Sequence, residues 1–487
     1  MRAVHTEADW PLALKAARRE ALTYFGNDTL IIEKLINNPR HIEIQLMADH
    51  YGNIVHLFER DCSMQRRHQK IIEEAPAINL TADIRQQLTT SAINIAREIN
   101  YLGAGTVEFL VTEDLKFYFI EMNTRLQVEH PVTEAITGLD LVEWQLRIAA
   151  REPLPQLQPN ITAHGHAIEC RLYAEDPITN LPSVGTIDFL RQPDIEHVRI
   201  DSAVIQNDTI TPYYDALLSK VIAWGETRDI ALCRLQQALN QYQFGGIKTN
   251  KDILQNILHN QNFLLGNINT NFLTTITPSI NEPKFNPLYY IACIEYIQKY
   301  NDTMLPKLLG WRMHTQAQWY AEYQLENNLP ELICIIPINK NTVQLKTVNT
   351  PTITLHILKY DNCHLILDDE QQRHTAYVQS QFNSWILYLD IGIYKINHKC
   401  AAPTLTHHNT NTLTSPIPAT VVAILTPEGT MVKQGQALMI VEAMKMEHTI
   451  YATHDACVTH IFYKIGDQVS EGIELLQLSS TALGPNT

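Results

Sequence analysis

Two groups of residues in this chain have types and spacings that could do chemistry. The first is Lys445, set in Glu442-Ala443-Met444-Lys445-Met446-Glu447. The small Ala443 and the pliable methionines leave such a lysine little shielded, so another enzyme can reach and modify it. The second is a run of carboxylates far upstream. Gly105–Leu110 and Phe117–Arg125 are rich in aromatic and β-branched residues and flank a polar stretch, which predicts a β-hairpin. If Val111 pairs with Tyr118, Glu108 falls opposite Glu121. Facing carboxylates repel unless a proton or a cation intervenes, and a magnesium ion favours such hard oxygen ligands. If the second strand stays extended, Glu121, Asn123, Arg125, Gln127 and Glu129 line one face. That line could seat a metal, an anion and a general base. A half-buried strand with a solvated polar face has the same pattern, and periodicity alone leaves the two readings open.

The elements that must position these groups are also legible. Val421-x-x-Ile424-x-x-x-x-Gly429-x-x-Val432-x-x-Gly435 recurs as Val458-x-x-Ile461-x-x-x-x-Gly466-x-x-Val469-x-x-Gly472. Each copy reads as short strands separated by glycine turns, where positive φ costs glycine least. Two copies can close into a small flattened β-barrel, with Lys445 where one half passes into the other.

Bulk properties narrow the class. A chain of 487 residues needs several cores. A net charge of −15 argues against general nucleic-acid binding. No apolar run is long enough to cross a membrane, and the first residues lack a signal-peptide core. The eight cysteines show no paired metal-ligand spacing, so free thiols in a reducing, cytoplasmic setting are expected.

Ala443-Met444-Lys445-Met446 between two such halves resembles the biotinyl domain of biotin-dependent carboxylases, which implies covalent biotin on Lys445. A lipoyl carrier shares the fold but usually lacks the double methionine frame. The run from Glu121 through Glu129-His130-Pro131-Val132-Thr133-Glu134 resembles the active-site strand of biotin carboxylase, an ATP-grasp enzyme. Glu59-Arg60-Asp61-Cys62-Ser63-Met64-Gln65-Arg66-Arg67-His68-Gln69-Lys70 and His166-Ala167-Ile168-Glu169-Cys170-Arg171 are similar to the same family. The resemblance implies ATP and magnesium (manganese is possible), with Glu108, Glu121 and Asn123 at the metal. Glu129 is implied as the base that deprotonates bicarbonate, and Arg125, Lys70, Gln127 and the Val128 backbone as the anion pocket. Arg171 is implied at the biotin oxygen, and Glu33, Lys34, Leu35, His41, Gln65 and His68 around the nucleotide. Without the resemblance, Lys70, Arg66 and Arg67 read as a solvated basic loop, and His41 and His68 as structural histidines.

The expected fold is multidomain α+β. A partial ATP-grasp domain over 1–147 precedes a biotin carboxylase C-terminal domain over 148–275. A helix and about eight antiparallel strands over 281–400 resemble the subunit-contact domain of acyl-CoA carboxylase α subunits. A linker over 401–418 leads to the biotinyl domain over 419–480. The resemblance implies a hetero-oligomer with a carboxyltransferase β subunit, and biotin protein ligase as a second partner. No nucleic acid or membrane is expected. The Gly310-Trp311-Arg312 context and the domain lengths favour methylcrotonyl-CoA over propionyl-CoA as the class. In that family a nucleotide-fold domain and a glycine-rich lid precede the residues matched here, and no GxxxxGK or GxGxxG occurs in this chain. The chain alone is therefore expected not to carboxylate biotin at a useful rate. The alternative is a non-catalytic carrier and docking subunit.

Overall fold

The computed structural model describes residues 3–4, 6–66, 69–274, 285–302, 309–313, 316–325, 328–347, 350–361, 363–381, 384–389, 392–398, 412–443 and 446–480. The chain divides into two compact units. The first comprises 1–169, 224–231 and 261–276; the second comprises 170–223, 232–260 and 277–487.

The first unit is built on strands β1 (Arg40–Ala48), β2 (Ile54–Arg66), β3 (Gln69–Ala75), β4 (Gly103–Val111) and β5 (Phe117–Asn123), in the order β5-β4-β1-β2-β3. Strand β1 alternates: Ile42, Ile44 and Leu46 point one way, and His41, Glu43 and Gln45 the other. The apolar set packs with Val107, Phe109 and Val111 of β4 against Leu88, Ala92 and Ala96 of the helix Ala82–Glu98. Thr81 caps that helix, accepting from the Ile84 amide at 3.3 Å. Further along the strands, Met47, Val55, Leu57 and Ala104 pack with Leu141, Trp144 and Ile148 of the helix Leu141–Ala149. The helix His130–Thr137 starts just after the carboxylate run. Proline in its first turn suits the fixed φ there, and Gly138 ends it at φ 69°.

In the second unit, helices cover Arg228–Gln241 (its first turn in the first unit) and Lys251–Leu258. The eight strands from Trp319–Leu325 to Gly392–His398 form a closed antiparallel barrel. Closure removes the free edges that a meander would expose. The helix Leu288–Asp302 packs with the barrel's inward residues, and every residue from Leu288 to Tyr296 is buried. A helix apolar on nearly all sides has to be enclosed in this way.

The final region consists of two four-stranded sheets. Strands Ala419–Ile424 and Ala456–Ile461 carry the two halves of the repeat, and Gly429, Gly435, Gly466 and Gly472 take φ of 81°, 79°, 96° and 76°. Thr412–Thr414 pairs with Glu474–Ser480, so the segment expected as linker yields at least one strand to this sheet. Of the expected linker, 401–411 lies outside the described residues. Among the described residues no helix is long and apolar enough to cross a membrane.

Candidate active site

The polar face of β1 anchors the site. Glu43 is fully buried and lies opposite Arg60 on β2 and Glu108 on β4. Arg60, also fully buried, uses all five of its donors. Nε donates to Glu43 Oε1 at 2.6 Å, Nη1 to Gln45 Oε1 and Thr133 Oγ1 at 2.8 and 3.0 Å, and Nη2 to Thr106 Oγ1 and Gln127 Oε1 at 3.3 and 3.0 Å. One guanidinium therefore ties β1, β4, the start of the helix His130–Thr137 and the segment before it to β2.

Lys70 brings the second charge. Its ammonium donates to Glu43 Oε2 at 2.6 Å, Glu108 Oε1 at 3.0 Å and Glu129 Oε1 at 2.5 Å, so its three protons meet three carboxylates. Glu108 also accepts from Asn123 Nδ2 at 2.8 Å and Gln127 Nε2 at 2.9 Å, and His41 Nε2 lies 2.8 Å from its other oxygen. Burial would raise the Glu43 carboxyl, but Lys70 and Arg60 outweigh it and lower it to about 2. Burial likewise opposes ionisation of Glu108, and His41 and Lys70 hold it below the usual carboxylate range. The same carboxylates raise Lys70 above its usual value despite burial. The cluster is thus a desolvated network in which each charge is fixed by its neighbours.

Glu108 does pair with Glu121, but by another route than expected. The turn end pairs Val111 with Phe117 and Leu110 with Tyr118, one residue out of the expected register. A bulge between Glu108 and Phe109 takes up the extra residue and restores the Glu108–Glu121 pair. The extended run to Glu129 is also corrected: β5 ends at Asn123, and a bend and a turn lead into the helix at His130. The chain turns there because Glu129 and the Pro131 that follows start a helix, which an extended strand cannot do. Gln127 and Glu129 still reach the cluster by this bend. Arg125 does not join it: it is exposed and donates to the Leu126 carbonyl at 3.2 Å. Val128 sits half-buried in the turn.

The remaining residues are dispersed. Gln65 is buried opposite Lys70 on the β2–β3 pair. Glu33, Lys34 and Leu35 lie exposed in a segment without regular structure and are not part of the cluster. Arg171 belongs to the second unit, on strand β6 (His166–Tyr173), where its side chain is buried and its carbonyl accepts from Asn250 Nδ2 at 3.1 Å. His68 and Lys445 fall outside the described residues. The pairing Ala443↔Met446 and Glu442↔Glu447 brackets the lysine's position. Glu43 and Arg60 had no assigned role in the sequence reading. The alternation in His41-Ile42-Glu43-Ile44-Gln45-Leu46 was the available signal, since three polar residues share one face of an otherwise apolar strand.

The donor set suits a divalent cation. Glu108, Glu121 and Asn123 offer hard oxygens, and Asn123 Nδ2 lies 2.8 and 3.5 Å from the two carboxylates. His41, Glu43 and Glu108 also place ligand atoms within 4.8 Å of one another.

Comparison with known proteins matches three stretches of the chain. Residues 1–157 match the carbamoyl-phosphate synthase L chain ATP-binding domain, 169–275 the biotin carboxylase C-terminal domain, and 411–478 the family described as biotin-requiring enzymes. The α subunit of rat mitochondrial methylcrotonoyl-CoA carboxylase is 36% identical over 98% of this chain and 70% of its own length. The human mitochondrial propionyl-CoA carboxylase α chain is 35% identical over 95% of this chain and 67% of its own. A biotin carboxylase from Campylobacter jejuni, solved as a β-γ-ATP complex, shares 46% identity with a TM-score of 0.55, covering 57% of this chain and 62% of that one. The chain thus spans about 70% of the length of its curated relatives and less than two thirds of that solved structure.

Proposed function

Since the chain belongs to the α subunits of biotin-dependent acyl-CoA carboxylases, we propose that it takes part in ATP-driven carboxylation of biotin held on Lys445. The observation that carries this reading is the Lys70 ammonium clasped by Glu43, Glu108 and Glu129 on the polar face of one sheet. On this reading Glu129 takes the proton of bicarbonate, whose oxygen then attacks the γ-phosphorus of ATP and displaces ADP. Lys70 gives up one carboxylate contact to hold the bicarbonate and the mixed anhydride formed from it. Gln127 and the Val128 amide complete the pocket, and Arg125 swings in from solvent. Glu108, Glu121 and Asn123 would hold magnesium, which neutralises phosphate charge when bound. Arg171 stabilises negative charge on the biotin oxygen as the ring nitrogen loses its proton. His41, Gln65 and His68, with Glu33, Lys34 and Leu35, line the nucleotide.

The carboxyl group then goes to a carboxyltransferase β subunit, and the acyl substrate is methylcrotonyl-CoA, following the relatives matched over most of the chain. The test is single-turnover transfer of labelled bicarbonate onto the biotinylated chain with Mg-ATP. It is run with and without the additional region of a full-length relative supplied in trans. Label that appears only with the supplement is expected. Label without it would show the chain competent alone, and none in either case would favour a pure carrier. Lys445→Arg serves as the control: biotin attachment is lost in a streptavidin blot, while the circular dichroism spectrum is unchanged.

A further inference from the structure

Within the second unit, the barrel is seated on the carboxylase C-terminal region by a built socket. The short strands Phe189–Arg191 and Gln243–Gly245 pair antiparallel, with Phe189 opposite Gly245. The Phe189 ring stacks on Tyr388 of the barrel at 4.4 Å between centroids and 20° between planes. Arg191 lies over the Tyr377 ring at 4.2 Å, and Gln243 Nε2 donates to the Leu389 carbonyl at 3.3 Å in a buried setting. Tyr388 is itself buried, with its hydroxyl donating to Gln379 at 2.8 Å. Gly245 leaves the room: a Cβ there would collide with the Tyr388 hydroxyl and lie 2.6 Å from Asp188 Oδ1. Stacking, cation–π contact and a buried hydrogen bond at one joint are more than a chance touch of two domains.

From Gly245 the chain runs only a few residues to Asn250, which is almost fully buried. Its amide clamps β6 on both sides of Leu172: Oδ1 accepts from the Tyr173 amide at 2.9 Å, and Nδ2 donates to the Arg171 carbonyl. Nearby, the Glu175 amide donates to the Lys248 carbonyl at 3.0 Å. We propose that Tyr388, through the Phe189–Gly245 socket and the Asn250 clamp, is a positioning residue for Arg171, so that the seating of the barrel sets how firmly the strand carrying Arg171 is held. Buried side-chain amides with both ends used fix backbone geometry. Contiguous packed contacts of this kind carry coupling between distant sites. The functional meaning rests on the reading that Arg171 serves the biotin ring.

Hydrogen exchange on the full biotinylated chain tests the coupling. Tyr388→Ala should lower protection of the Tyr173 amide and of residues 243–250 by about tenfold or more. The barrel core around Leu345 and Leu367 should keep its protection. Tyr388→Phe, which keeps the ring stack, should restore it, and a purely structural loss of the hydroxyl bond would not be rescued in this way. Phe189→Ala breaks the same stack from the other side, so it reports even where Tyr388→Ala unsettles the barrel. Asn250→Ala should show the largest loss at Tyr173. Unchanged exchange at Tyr173 in Phe189→Ala, or a Tyr388→Phe chain behaving like Tyr388→Ala, overturns the proposal. Exchange does not depend on what Arg171 binds. Biotin carboxylation, read in the supplemented single-turnover assay, that is unchanged in an Arg171→Ala chain would therefore sink the assigned role of Arg171 and leave the coupling standing.

Discussion

The sheet of the first unit and the barrel of the second both enclose a dense interior, yet they fill it with opposite chemistry. On one face of β1 the sheet buries Glu43, Arg60 and Glu108, with the half-buried Lys70 and the buried Glu129 of the following turn bound to them. The barrel fills its inside with Ile291, Leu345, Leu355, Leu365, Leu367 and their like around a single helix, with Glu295 as the buried acid. Replacing a buried ionic network by apolar packing is often neutral or stabilising, so the sheet gains little stability from keeping its charges. On the proposed reading, a site that holds a cation and an anion accounts for them, whereas packing alone accounts for the barrel.

This contrast can be broken most directly at Arg60. Arg60→Met removes five hydrogen bonds and leaves Glu43 buried without one of its two cations, so the first unit should lose about 3–5 kcal/mol. Differential scanning calorimetry should show its transition move down while the barrel's stays in place. A shift shared by both units would show that the network does not belong to the sheet alone.

Acid sharpens the same point. The Glu43 carboxyl is lowered from 4.5 to about 2, so its ionised form stabilises the fold above pH 4.5 and that contribution is lost as the pH falls to about 2. The loss integrates to about 3 kcal/mol. Urea midpoints of the first unit should fall as the pH drops through that window, and Glu43→Gln should flatten the dependence. In the barrel, Ile291→Val removes one methylene from a fully buried position and should cost about 1 kcal/mol at every pH.

The smallest effect on stability is expected at Glu121, which is exposed where its partner Glu108 is buried. Glu121→Gln should change stability by less than about 0.5 kcal/mol. It should nevertheless weaken manganese binding measured by electron paramagnetic resonance. Equal manganese affinity in the variant and the parent would remove Glu121 from the metal set.

Much of this architecture was legible before folding was considered. The glycines of the C-terminal repeat announce their own turns, because only a residue without Cβ takes those φ values at little cost. The helix Leu288–Asp302 and the strands of the barrel follow from apolar runs of the right length. The facing of Glu108 and Glu121 was also readable, although the pairing used to reach it was one residue out at the turn. Strand sequence alone does not reveal a bulge, since a bulge is a compromise between two registers that pairing with β1 and the tight turn joining β4 to β5, with Leu115 at φ 60°, impose together.

The sequence by itself determined which residues carry charge, which alternate on a strand, and where Lys445 sits between two half-repeats. Only the tertiary structure decided that Lys70 and Glu129, 59 positions apart, share a hydrogen bond, and that Arg60 and Glu43 stand behind them. It also decided that Arg125 stays in solvent. The physical reason is that alternation assigns a side chain to a face, whereas the partners on that face are chosen by strand order and by bends such as the one after Asn123. Those depend on what the whole sheet can bury at once.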